Sequence, residues 1–311
     1  MRRCIASTLV ALTLSGQPTA FAAAQQTPAA PAPPNVLLVV AHPDDDAMFA
    51  GSVYKITHTL NGNVDLALVT DGSGGFRYAQ LAEPIYGLDL TDETIARQHL
   101  PAIRKRELMA GGQIVGLRNY FFLDQLDDAY TENVDSVFTE VWDTAAVRSR
   151  LRQIMTRVRY DYVYVHLPIP NFHAHHRAAS ILALEAAQSL PGSQRPVVLG
   201  CFVGSRSDPG EFDLRDFRQH PGFPITAVRQ GTPPFVFDRT QALSPDGRLD
   251  YRIVVNWLIA EHRTQGTMQL LVNRGDIERF WFFEMNDPAA FAKTEDFFQL
   301  LAEPVYDSPN R

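Results

Sequence analysis

The chain has 311 residues, 45% of them hydrophobic and 20% charged, with a net charge of −7 at neutral pH. A chain of this size and composition buries enough apolar surface for a sizeable core, which excludes global disorder. Acidic residues outnumber basic ones, 35 to 28, and no extended basic tract occurs, so no nucleic-acid or anionic-membrane surface is expected and small polar substrates fit better.

The N-terminus reads as a secretory signal peptide over residues 1–22. Arg2 and Arg3 precede the apolar stretch Cys4 to Leu14, and Ala20-Phe21-Ala22 supplies small residues at alternate positions, so cleavage is expected after Ala22. A membrane anchor fits less well, because spanning a bilayer takes about 20 apolar residues and this stretch is interrupted by Ser, Thr, Gly and Pro. Residues 23–34 are Ala, Gln, Thr and Pro, a composition that cannot bury a core and predicts a flexible tether. One domain is then expected over 35–311, in a periplasmic or secreted protein with no membrane span after cleavage. Loss of the leader leaves Cys201 as the only cysteine, which excludes an intramolecular disulfide and a cysteine-based zinc site. Cys201 lies within an apolar run and reads as a small buried hydrophobe.

Residues 35–41 (NVLLVVA) form a continuous apolar run, as suits a strand buried on both faces of a parallel sheet. Similar runs recur at 64–70, 119–123, 162–166 and 196–203, separated by segments with helical periodicity. In one of these, Val147, Leu151, Ile154, Met155 and Val158 follow at helical spacing while Arg148, Arg150, Arg152, Arg157 and Arg159 fill a solvated face. The alternation predicts a Rossmann-like, doubly wound α/β fold: a mostly parallel sheet with helices on both faces. Two excursions, 71–90 and 205–247, are rich in Gly, Pro and polar residues and read as long loop insertions that serve as lids or binding loops.

Ligands in such sheets bind outside the carboxyl ends of the strands, so the residues just after each run are the ones to inspect. The first strand is followed by His42-Pro43-Asp44-Asp45-Asp46, the second by Asp71-Gly72-Ser73-Gly74-Gly75 and the fourth by His173-Ala174-His175-His176. A His and several carboxylates on one loop, with three histidines on another, can hold a divalent ion and leave a carboxylate free. Catalytic zinc sites take three protein ligands of these kinds and keep a position for water. Either loop alone is weak evidence, since Asp clusters cap helices and surface histidines are common. The glycines at 72–75 read as a tight turn, because the spacing lacks the G-x-G-x-x-G pattern of a phosphate cradle. His58, His99 and His220 have no partners in the pattern and read as surface residues.

His42 to Asp46, preceded by Ala41, resembles the AHPDDE signature of the PIG-L/LmbE family of zinc-dependent N-deacetylases. Val69-Thr70-Asp71-Gly72 with Gly74-Gly75 resembles that family's T-x-G-x-x-G region, residues 104–108 (RKREL) its R-x-x-E-L helix, and residues 260–265 (AEHRTQ) its late A-x-H-x-[ST]-Q motif. The resemblance implies one zinc ion per chain held by His42, Asp45 and His176, with Asp44 as general base. It implies that His173 stabilises the oxyanion or protonates the leaving amine. Asp44 and Asp45 must then diverge, which a strand-to-helix turn permits. Asp46 stands where the family has Glu and is expected to act one shell out from the metal; Arg104 is expected to bind substrate or order the site, and His262 to line or gate the pocket. His175 replaces an Asp that in the family orients and charges the neighbouring histidine, so His173 is expected to lose its proton at a lower pH. The activity implied is removal of an N-acyl group, acetyl in the family, from an amino sugar or glycoconjugate. The alternatives are a glycan-binding protein that keeps the metal-site fold without the chemistry, and an amidase acting on a non-sugar N-acyl substrate.

Overall fold

Each of the five apolar runs becomes a parallel strand: β1 Asn35–Val40, β2 Asn63–Thr70, β3 Leu117–Gln125, β4 Tyr162–His166 and β5 Val197–Gly204. They belong to a computed structural model that describes residues 32–206, 214 and 216–306. The expected signal peptide and most of the tether lie outside the described residues. Two further strands, β6 Phe235–Asp238 and β7 Ile277–Phe282, complete a seven-stranded sheet in the order β3-β2-β1-β4-β5-β7-β6. Strand β7 runs antiparallel to both β5 and β6, so the sheet is parallel through its first five members and mixed at one edge.

The continuous apolar runs are explained by burial on both faces. Along β1, Leu37 and Val39 join one core cluster while Val36, Leu38 and Val40 join the other, the two-residue alternation of a pleated strand. The first cluster is covered by α3 Thr144–Arg157 and α4 Ala174–Gln188. The second is covered by α1 Ala50–His58, α2 Glu93–Val115, α5 Tyr251–Glu261 and α6 Ala290–Ala302. Helix α3 buries Val147, Leu151, Ile154 and Met155 and leaves Arg150, Arg152 and Arg157 exposed, as its periodicity predicts. Among the described residues no helix is long and apolar enough to cross a membrane.

Both excursions are more ordered than expected. The first carries a 3-10 helix at Phe76–Ala82 and a short helix at Glu83–Tyr86. The second contributes β6 to the sheet, so it is in part a strand of the fold. Strand order reverses at β1, with β2 on one side and β4 on the other. That reversal opens a crevice at the carboxyl ends of these strands.

Candidate metal centre and active site

After β1 the chain enters a 3-10 turn, Asp45–Met48, with Asp44 at its N-cap. Successive side chains on such a turn point about 120° apart, so three adjacent carboxylates reach three places. Asp44 lines the crevice. Asp45 turns inward, where its Oδ2 accepts the backbone N–H groups of Ala41 and His42 at 2.9 and 2.8 Å. Asp46 is buried, and its Oδ1 lies 2.8 Å from Nε2 of the fully buried His262. His262 therefore backs the metal loop and does not line or gate the cavity as expected.

The second set of donors starts α4. His173 is its N-cap, with Nδ1 accepting the N–H of His175 at 3.3 Å. His176, three residues on, lies on the same side of the helix. His42 Nδ1 stands 2.9 Å from His176 Nε2, His176 Nε2 stands 3.1 Å from Asp45 Oδ1, and His42 Nδ1 stands 3.8 Å from the same oxygen. Tetrahedral zinc with bonds near 2.0–2.1 Å separates its ligand atoms by about 3.3 Å, so these three donors fit one ion. His42, His173 and His175 form a second convergent group, reached through the other ring nitrogen of His42. That nitrogen also lies 3.7 Å from Asp127 Oδ1, the arrangement of a carboxylate that orients a ligating histidine from behind.

Charge around the donors is strongly organised. Burial acts to raise the pKa of Asp45, but the His176 and His166 rings beside it prevail and hold it well below the usual carboxylate range. Asp44 is pushed up, first by burial and then by the adjacent Asp45 charge. With its amide nitrogen turned toward Asp44, Gln265 donates to both carboxylate oxygens at 3.2 Å and fixes the side chain. His173 is pushed down to about 2, first by burial and then by His42, His176 and His175. The direction is the one expected from the missing Asp at 175, yet burial is the larger cause. An imidazolium at His173 is thus disfavoured. With Nδ1 engaged as an acceptor, the ring presents a neutral Nε2–H.

The family-like helix motif proves to be a stitch. Arg104 is buried and donates to the carbonyls of Gly72 and Gly74, and to both Oγ1 and the carbonyl of Thr264. Glu107, one turn on, accepts from the Thr264 N–H and hydroxyl and from Tyr86. Arg104 orders the site and also faces the cavity. At Gly74 a Cβ would lie 2.5 Å from Asp127 Oδ1, so only glycine lets this loop approach that carboxylate.

Asp127, His166 and Gln265 are functional candidates that the sequence reading did not single out. Asp127 follows β3, the one parallel strand end left uninspected among the first four. His166 closes the run YVYVH, and its ring stacks on His176 at 4.5 Å. His175 is fully buried, with Nδ1 3.5 Å from Asp127 and its ring 5.1 Å from Trp142. His220, expected at the surface, is 5% exposed and sits 2.8 Å from Arg177. Cys201 is buried as expected.

Residues 37–187, which hold both metal-donor loops, match the profile of the family described as PIG-L, GlcNAc-PI de-N-acetylase. A curated relative from Bacillus cereus, a probable N-acetyl-alpha-D-glucosaminyl L-malate deacetylase 2, is 25% identical over 165 residues. That alignment covers 53% of this chain and 66% of the relative, just under two thirds of its length. Among solved structures, a deacetylase triple mutant from the teicoplanin biosynthetic pathway superposes with a TM-score of 0.51 at 17% identity, covering 80% of this chain and 97% of that one. The A40926 pseudoaglycone deacetylase gives 0.50 at 18% identity, covering 81% and 98%. Such likeness speaks for the fold alone, whereas the profile match and the ordered motifs make residues 37–187, with both donor loops, similar to the PIG-L/LmbE family.

Proposed function

We propose that this protein is a zinc-dependent hydrolase that cleaves the amide of an N-acylated amino sugar or glycoconjugate outside the cytoplasm. The observation that carries the reading is the convergence of His42, Asp45 and His176 beside a raised-pKa carboxylate, Asp44, on the wall of a cavity of about 290 Å³. Tyr78, Arg104, Asp127 and Tyr130 line the same cavity, a polar and aromatic mixture suited to a sugar ring. Zinc in such a site polarises a carbonyl and brings the pKa of water toward about 7. Asp44 then accepts a proton from the attacking water, a task favoured by a pKa moved toward neutrality. The neutral Nε2–H of His173 donates to the oxyanion as the carbonyl carbon becomes tetrahedral. Asp44 returns its proton to the amide nitrogen as the C–N bond breaks, which yields a free amine and a carboxylate.

The test is acetate release from a panel of N-acetylglucosamine derivatives by zinc-loaded mature protein. Activity should stop on chelation and return with zinc, and Asp44→Asn should keep the metal while losing about 10²–10⁴ in rate. Zinc-loaded protein that binds these sugars and releases nothing would favour a glycan-binding role instead. Export is part of the reading, and the intact mass of exported protein should correspond to a chain starting at Ala23.

A further inference from the structure

The donors stand between two chambers that differ in size and in lining. Asp44, Asp45, His176 and Met268 belong to the walls of both. One is the polar cavity that contains Arg104, Asp127 and His173. The other, on the side of β5 and the segment after α5, is larger, about 730 Å³, and its walls combine Met48, Phe172, Phe202, Val203, Ile259 and Leu271 with the charged Arg239, Arg274 and Asp276. At its margin Leu270, Leu271 and Val272 are 69%, 44% and 38% exposed, an uninterrupted apolar run facing solvent. The run is held in place rather than left loose. Asn273 exchanges two hydrogen bonds with Asn256 of α5, at 2.7 and 3.0 Å.

An amide whose carbonyl lies at the donors has two substituents to place. Its nitrogen carries the sugar, which the polar cavity suits. Its carbonyl carbon carries the acyl chain, and an acetyl methyl would occupy a small part of the apolar chamber. We propose that the acyl group this protein removes is a medium-length or longer alkyl chain, seated between Met48, Phe202, Val203 and Leu271 and leaving past the 270–272 run. The inference rests on the amide-hydrolase reading and specifies its substrate as an N-acyl amino sugar of lipid character. Burial of each methylene then strengthens binding by about three- to fourfold until the chamber is filled.

The experiment compares N-acetyl-, N-butanoyl-, N-hexanoyl- and N-octanoylglucosamine below their micelle concentrations. Affinity for the metal-free full-length protein is read by calorimetry, and kcat/KM for the zinc-loaded protein by amine release. Both should rise by more than about a hundredfold from acetyl to octanoyl, with the larger change in KM. Leu271→Asp, a change at a partly exposed position that the fold tolerates, should flatten both series. Acetyl and octanoyl compounds bound within a factor of two of each other, or hydrolysis of the acetyl compound alone, would overturn the proposal and leave the hydrolase reading intact. A steep binding series with no amine released from any member would instead overturn the hydrolase reading and leave the chamber's preference standing.

Discussion

Asp44, Asp45 and Asp46 share one side chain and adjacent positions, yet their surroundings give each a separate task. Asp45 is anchored by two backbone N–H groups and aimed at two histidines; Asp44 is lifted by burial and then by its neighbour's charge; Asp46 is spent on His262. The spacing H-P-D-D-D at a strand end announces only a cluster of carboxylates, and the division of tasks between Asp44 and Asp45 is what the family resemblance implies. Asp127 was not readable, since it is one of three acids in the stretch 124–128 and only the fold shows which of them reaches His42. His166 was hidden for another reason: it ends an apolar strand, where a lone histidine looks like core. If Asp127 orients His42 from behind, Asp127→Asn should lower zinc affinity by about 10–100-fold while the far-ultraviolet spectrum stays unchanged. Competition against a chelating dye measures it, and an unchanged affinity would confine Asp127 to contact with substrate.

Elements far apart in sequence hold the candidate donor loop at its angle. Glu278 of β7 accepts the N–H groups of Gly51 and Ser52 at the start of α1, at 2.8 and 3.1 Å, and the Arg239 guanidinium at 2.8 Å. Arg239 in turn donates to the carbonyls of Ala47 and Met48. The pair is 0% and 3% exposed, so it clamps the end of the turn that presents Asp44 to Asp46 onto the start of α1. A buried pair gains little overall, but removal of one partner strands the other charge, at a cost of about 3–5 kcal/mol. Glu278→Ala should therefore lower the unfolding free energy extrapolated from urea melts by that much, and a loss below about 1 kcal/mol would mean that water reaches Arg239. The five parallel strands were legible because burial on both faces writes an unbroken apolar run. Strand β7 (IERFWF) was not, because it buries Glu278 and carries Arg279 amid its aromatics, and β6 is only four residues long, within a stretch rich in Pro and Gly.

At the scale of the whole molecule, the three donors come from two loops at neighbouring strand ends, with His42 and His176 134 residues apart in sequence. The motifs announced this centre in outline because each one is local. The apolar chamber was illegible, since Met48, Phe202 with Val203, and Leu271 come from three separate segments that meet only in the folded chain. An ion at His42, Asp45 and His176 ties the turn after β1 to the start of α4, and the unfolded chain cannot offer the three donors together. Such an ion binds the folded state and stabilises it by RT ln(1 + [Zn]/Kd), about 4 kcal/mol at a thousandfold excess over Kd. For a domain of this size 1 kcal/mol moves the midpoint by about 2–4 °C, so chelation should lower Tm by roughly 10 °C and added zinc should restore it. His176→Ala removes one donor and should unfold near the chelated midpoint whether or not zinc is present. A His176→Ala protein that still gains the full zinc-dependent shift would show that the ion sits elsewhere, with the histidines around His42 and His175 the next place to look. Equal midpoints for chelated and zinc-loaded protein, with zinc measured on the chain, would mean that the ion binds the unfolded chain as tightly as the native centre.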